Sequence, residues 1–173
     1  KTPGIEANTG SLGQGVSLAA GLAAGLKLDN NSAKVYVVVG DGELAEGQIW
    51  EALMASVNFH LDNLCVILDR NGLQATGKTD ERFCIEPIRE KFLAFGLEAF
   101  EIDGHDMGQI LDALDKADQV SGKPTAIIAH TVKGKGVSFM EHNNAWHNGT
   151  CSEEQYVQAM KELDEQEAAI EAE

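Results

Sequence analysis

Two runs of β-branched and apolar residues, KVYVVVGDG at positions 34–42 and NLCVILDRNG at 63–72, constrain the fold of this chain most. Each has the length of a buried strand and ends on a polar residue beside glycine, so Asp41 and Asn71 are read as strand-end residues of two parallel strands. Between them EGQIWEALMASVNFH places Ile49, Leu53 and Val57 at helical spacing, with Trp50 and Met54 alongside. The unit is strand, helix, strand.

In an open α/β sheet, ligands collect beyond the carboxyl ends of the strands, where loops and helix N-termini present backbone N–H groups. Asp41 and Asn71 would both face that crevice. A carboxylate and an amide oxygen there, with Gly42 and Gly72 letting the backbone approach closely, suit a hard divalent cation that also holds a diphosphate. Magnesium fits best, because it takes few protein ligands and completes its octahedron with phosphate oxygens and water; Ca2+ and Mn2+ are the alternatives. The competing reading is that Gly-Asp-Gly and Asn-Gly are only turns.

A GDG followed by a helix and then by the N of Asn71 resembles the thiamine diphosphate motif. The stretches GDGELAEGQIWEA, DRNGLQATG and KGKGVSFME are similar to transketolase, and specifically to the separately encoded amino-terminal transketolase subunit. The resemblance runs from Thr2 to about Tyr156 and implies an α/β fold, a mainly parallel sheet with helices on both faces, holding thiamine diphosphate through Mg2+. It implies Asp41, Asn71 and the backbone carbonyl of Leu73 as metal ligands. Gly10, Ser11, Leu12, Gly42, Asn71 and His147 are implied as cofactor contacts, with the helix after Gly15 near a subunit contact. His147 matches the active-site histidine that lies near the diphosphate and the substrate, although His142 stands where an asparagine is expected and Asn148 where a glycine follows. Glu46 matches a glutamate that faces the partner domain and helps couple two active sites. The catalytic candidates are therefore His147 and Glu46.

The implied reaction transfers a two-carbon ketol unit between sugar phosphates. Such enzymes also need a glutamate against the aminopyrimidine ring, supplied by a pyrimidine-binding subunit or domain. That partner is expected here, in a homodimer or a heterotetramer. Within the same cofactor class, a deoxyxylulose phosphate synthase or a 2-oxo acid dehydrogenase component is the alternative; the AWH of Ala145 to His147 and the SFME of Ser138 to Glu141 favour transketolase. A non-catalytic subunit interface is the remaining alternative.

The rest of the chain is read in order. GIEANTGSLGQG, residues 4–15, is a glycine-punctuated loop whose spacing fits no dinucleotide fingerprint. It leads into a helix rich in alanine, in which Gly21 and Gly25 permit close packing. Glu43 and Glu46 are suitably placed against the dipole of the next helix, and capping suffices for Glu43. Thr76 to Asp80 reads as a surface hairpin or turn. A helix over Pro87 to Phe95 stops at Gly96, LEAFEID is a third strand, and DGHD turns into a helix over Met107 to Val120, with His105 expected to order that turn by hydrogen bonding. PTAIIAHTV is an almost wholly apolar strand, covered on both faces. KGKGVSFMEHNNAWHNGT is a long functional loop, followed by a helix capped by Ser152 whose acidic tail, EQEAAIEAE, is expected to fray.

A chain of 173 residues is read as one diphosphate-binding domain, and its first residue, Lys1 rather than Met, suggests part of a longer chain. The net charge of −15 argues against nucleic acid or an anionic membrane as partners. Cys65, Cys84 and Cys151 lack metal-ligand spacing, which fits a reduced cytoplasmic protein with Cys65 as a small core residue.

Overall fold

The computed structural model describes residues 2–172; Lys1 and Glu173 lie outside them. In chain order the elements are α1 (Gln14–Leu28), β1 (Val35–Gly40), a 3₁₀ turn (Gly42–Ala45), α2 (Gly47–Asn58) and β2 (Leu64–Arg70). A short hairpin of β3 (Leu73–Gln74) and β4 (Gly77–Lys78) follows, then α3 (Thr79–Arg82), α4 (Ile88–Ala94), β5 (Glu98–Asp103) and α5 (Met107–Gln119). The chain closes with β6 (Thr125–His130), a second 3₁₀ turn (Asn144–His147) and α6 (Glu153–Glu171). The acidic tail that its composition marks for fraying is thus helical as far as Glu171.

β1, β2, β6 and β5 form, in that order, one wholly parallel sheet. Alternation along the strands splits the interior in two. Val39, Leu64, Val66, Leu68, Ala126, Ile128 and Ala99 face α1, α2 and α4, whose Val16, Ala23, Ile49, Leu53 and Phe92 complete the larger core. Their in-between neighbours Cys65, Ile67, Ile127, Phe100 and Ile102 face Ala113, Leu114 and Ala117 of α5 on the other side. Each fully buried Leu, Ile or Val among them contributes about 1.5–3 kcal/mol, so the two central strands β2 and β6, apolar on both faces, carry most of the sheet's stability. Burial in this layer pushes the Cys65 thiol up to about 12, so it is an inert core residue.

The alanines of α1 let that helix lie close on β1 and α2, while Trp50 fills the seam between α2 and α4. Its ring stacks at 5.7 Å from Phe92 and 4.9 Å from Phe95, and its Nε1–H donates to the Leu44 carbonyl at 2.9 Å. Helix ends follow local chemistry: Asp106 caps α5 through the Gln109 N–H, and Ser152 with Gln155 forms a capping box on α6.

Away from the strand ends, Asp62 joins three segments. Its carboxylate accepts from Lys27 Nζ at 2.6 Å and from the Gly122 N–H at 2.8 Å. Burial pushes this carboxyl up, but the Lys27 and Gly122 donors outweigh it and hold it below the usual range. A depressed folded-state value means stability that is present above the unfolded value of about 3.9 and lost as pH falls through the lower folded one. Asp62→Asn is expected to cost about 1 kcal/mol at neutral pH, discounted for partial exposure, and to shrink that deficit in acid. Denaturant unfolding at neutral and acid pH checks this; an equal deficit at both would reject the ionic account.

Candidate functional site

The register of β1 and β2 pairs Gly40 with Asp69, so Asp41, just past the end of β1, and Arg70, the last residue of β2, stand side by side. Asp41 is 1% exposed, a buried carboxylate where a glycine-flanked turn would suggest an exposed one. Three contacts make that burial tolerable: Gly42 N–H donates to Oδ1 at 2.8 Å, Gly72 N–H to Oδ2 at 2.6 Å, and Arg70 Nη1 pairs with Oδ2 at 2.9 Å; Arg70 is itself held by Glu86 at 2.8 Å. Burial pushes the Asp41 carboxyl above its ordinary range, with the Gly72 N–H and Arg70 working against it.

Asn71 follows on the next strand end. Its Nδ2 donates to Asp69 Oδ2 at 3.1 Å and its Oδ1 accepts from the Leu73 N–H at 3.0 Å, while Asp69 Oδ1 also accepts from the Thr131 hydroxyl. The amide is therefore oriented from both ends. The turn continues into the β3–β4 hairpin, tied back by the Thr79 N–H to the Gly72 carbonyl at 3.0 Å. Thr79, only 1% exposed, also accepts from Arg70 Nη1 at 3.1 Å, so the hairpin expected at the surface is anchored in the site. Gly42 has to be glycine here because a Cβ would lie 2.6 Å from Cβ of Gln74.

These residues fit a hard divalent cation. A carboxylate or amide oxygen offers two lone pairs; on Asp41, Oδ2 has both taken and Oδ1 one, and on Asn71, Oδ1 has one taken. One acceptor position remains on each, so each could give one oxygen to a cation; the Leu73 carbonyl is the third oxygen that the resemblance implies. Among the described residues, no three or more His, Cys, Asp or Glu side chains are grouped to hold a metal. An all-oxygen set with one charged ligand matches magnesium, which leaves most of its shell to phosphate and water.

The other expected site residues stand on the loop before α1, at the start of α2 and on the second 3₁₀ turn. Gly10, Ser11 and Leu12 are exposed immediately before Gly13, the N-cap of α1. Glu46 is the N-cap of α2, is exposed, and makes no side-chain capping bond. Glu43 does not cap α2 either, for a 3₁₀ turn separates it from that helix; its carboxylate accepts from the Gly13 N–H at 2.7 Å and the Gly40 N–H at 3.2 Å. His147 is exposed at the end of the second 3₁₀ turn. Asn144, which opens that turn, donates from Nδ2 to the Ala75 carbonyl at 3.0 Å, bringing the His147 segment against the hairpin that follows Asn71. The long loop is braced elsewhere too. His105 Nε2 accepts from the Val132 N–H at 2.8 Å, which is the ordering role expected of it, and Glu162 of α6 accepts from the Ser138 N–H and hydroxyl at 2.6 and 2.7 Å.

This geometry, a carboxylate and an amide at adjacent parallel strand ends, can be set beside known proteins. Residues 1–167 match the family described as transketolase, thiamine diphosphate binding domain. The chain belongs to that family. Over its whole length it is 44% identical to one subunit of an apulose-4-phosphate transketolase from Phocaeicola vulgatus, and it spans 62% of that polypeptide. It is 42% identical to a 6-deoxy-6-sulfo-D-fructose transketolase subunit from Clostridium sp. over 97% of this chain and 61% of that one. The solved transketolase from Campylobacter jejuni superposes with a TM-score of 0.86 at 36% identity, covering 93% of this chain and 26% of that one.

Within this transketolase domain, Arg70, Thr79 and Glu86 are the residues that reading the sequence missed. Arg70 lies inside the DRNG text, yet its partner on β1 becomes visible only once the strand register is known. Among the described residues of this domain no helix is long and apolar enough to cross a membrane.

Proposed function

We propose that this chain is the cofactor-binding part of a transketolase that moves a two-carbon ketol unit between sugar phosphates. Magnesium would be held by Asp41 Oδ1, Asn71 Oδ1 and the Leu73 carbonyl. When bound, thiamine diphosphate supplies the carbanion that such a transfer requires. The chain's own residues do the positioning: Asp41 and Asn71 are oriented by hydrogen bonds within the chain, Gly42 would let the backbone come close to the diphosphate, and Gly10 to Leu12 would border the cofactor. His147 would stand between diphosphate and substrate, and Glu46 would face the partner domain. The names of the relatives, apulose-4-phosphate and 6-deoxy-6-sulfo-D-fructose transketolases, support ketose sugars as the substrate class.

The observation that carries this reading is the Gly72 N–H to Asp41 hydrogen bond, which draws the two strand ends of the motif together. Calorimetric titration with thiamine diphosphate tests it, with Mg2+, Ca2+, Mn2+ or a chelator present. Binding should require the divalent ion. Absence of binding, or binding indifferent to the chelator, would reject it.

A further inference from the structure

We propose that Glu43 is a positioning residue that ties the loop carrying Gly10, Ser11 and Leu12 to the turn carrying Asp41 and Gly42, so that the two ends of the bound cofactor are held as one unit. This rests on the cofactor reading above.

The geometry is that of a bridge. Glu43 Oε1 takes the Gly13 N–H at 2.7 Å and Oε2 takes the Gly40 N–H at 3.2 Å, so one carboxylate spans the entry of α1 and the exit of β1. Gly13 sits at φ 83°, and a Cβ on it would come within 3.0 Å of Cβ of Glu46. The loop end is thus pressed, backbone first, against the 3₁₀ turn and the start of α2. No side chain caps α1, and the Glu43 carboxylate, from a distant part of the chain, instead holds the N-cap residue Gly13 by its own N–H.

Two consequences follow. The Gly13 and Gly40 N–H groups are already satisfied, so neither of these two amides is available to a ligand. Under the cofactor reading the exposed residues 10–12 serve the other end of the cofactor, and Glu43 sets where they stand. Without the tie, the loop would have to be ordered when ligand binds, at a cost in affinity. The helices themselves are held independently, by Gln14 Nε2 to Gln48 Oε1 and Gln48 Nε2 to Ser17 Oγ, both at 2.8 Å. Loss of Glu43 should therefore loosen the loop and leave the fold.

Magnesium pyrophosphate occupies only the diphosphate end, whereas thiamine diphosphate engages both. Their affinities are compared by calorimetry on the wild-type chain, Glu43→Gln and Glu43→Asp, each together with a polypeptide that carries a pyrimidine-binding domain, and amide hydrogen exchange is followed at Gly13 and Gly40. In both variants thiamine diphosphate should bind about tenfold more weakly, the size expected for losing a hydrogen bond to a charged group. Magnesium pyrophosphate should bind as in the wild type, and Gly13 should exchange faster. The aspartate variant separates the bridge from mere charge: it keeps the negative charge at the turn but is a methylene too short to span both amides. A wild-type affinity in Glu43→Asp, unchanged Gly13 exchange, or parallel weakening of both ligands would overturn the bridge. With the pyrimidine-binding domain present, a wild-type chain that binds thiamine diphosphate no better than pyrophosphate would overturn the cofactor reading beneath it.

Discussion

Asp41→Asn is expected to remove magnesium-dependent binding of thiamine diphosphate, weakening it by at least about a hundredfold, the upper range for loss of a mere outer partner of a metal ligand. The substitution keeps shape and volume but deletes the charged member of the oxygen set. It also turns an NH2 toward N–H groups of Gly42 or Gly72 that now donate to the carboxylate. Because Asp41 is buried and paired, it has a structural cost as well. Arg70 would lose one partner but keep Glu86, at 2.8 Å, and Thr79; that limits the loss to about 1–3 kcal/mol, short of the larger penalty for a wholly stranded buried charge. Thermal unfolding should register a moderate drop with a cooperative transition retained. Asn71→Ala should act in the same direction and more weakly, since it removes a neutral ligand. An Asp41→Asn chain that binds cofactor with wild-type affinity and still needs magnesium would sink the metal assignment.

What could be read from the amino-acid sequence and what could not divides along a physical line. The strands, α2 and the core role of Cys65 were legible, because burial on both faces of a parallel sheet writes itself as an uninterrupted apolar run. His105 was legible because a histidine in a DGHD turn has few local alternatives to bonding the loop. Glu43 misled for the opposite reason. A glutamate just ahead of a helix has a sufficient local explanation, and nothing in the text signals that a 3₁₀ turn displaces it from α2 or that its partners are Gly13 and Gly40. Asp41 is the intermediate case. Its place at a strand end was legible, but its burial depends on Arg70, brought beside it by the pairing of Gly40 with Asp69. Charges paired across strands are invisible until register is known.

The polypeptide of residues 1–173, assayed alone, is expected to bind thiamine diphosphate weakly and to give no measurable ketol transfer. Under the proposed reading the site would supply ligands for a metal and a diphosphate from β1, β2 and the hairpin, but residues 10–12, which would border the ring, are exposed on this chain. On that reading the activating glutamate and most of the ring's apolar contact would come from a pyrimidine-binding domain, in a partner subunit or elsewhere in a longer chain. The matched family covers the diphosphate-binding domain, and the chain spans only 26% of the Campylobacter jejuni transketolase. α1 would offer a face for assembly with such a partner or a second copy: Leu18 and Leu22 are 47% and 46% exposed, and Cβ atoms built on Gly21 and Gly25 would meet nothing within 4 Å. Adding a polypeptide that carries a pyrimidine-binding domain should tighten cofactor binding and, with all transketolase segments present, restore transfer. Gly21→Trp should leave the isolated chain's stability within about 0.5 kcal/mol, as for surface changes away from structural features, and block that gain. Vigorous transfer by residues 1–173 without a partner would overturn this account, because the essential carboxylate would then have to lie within this chain.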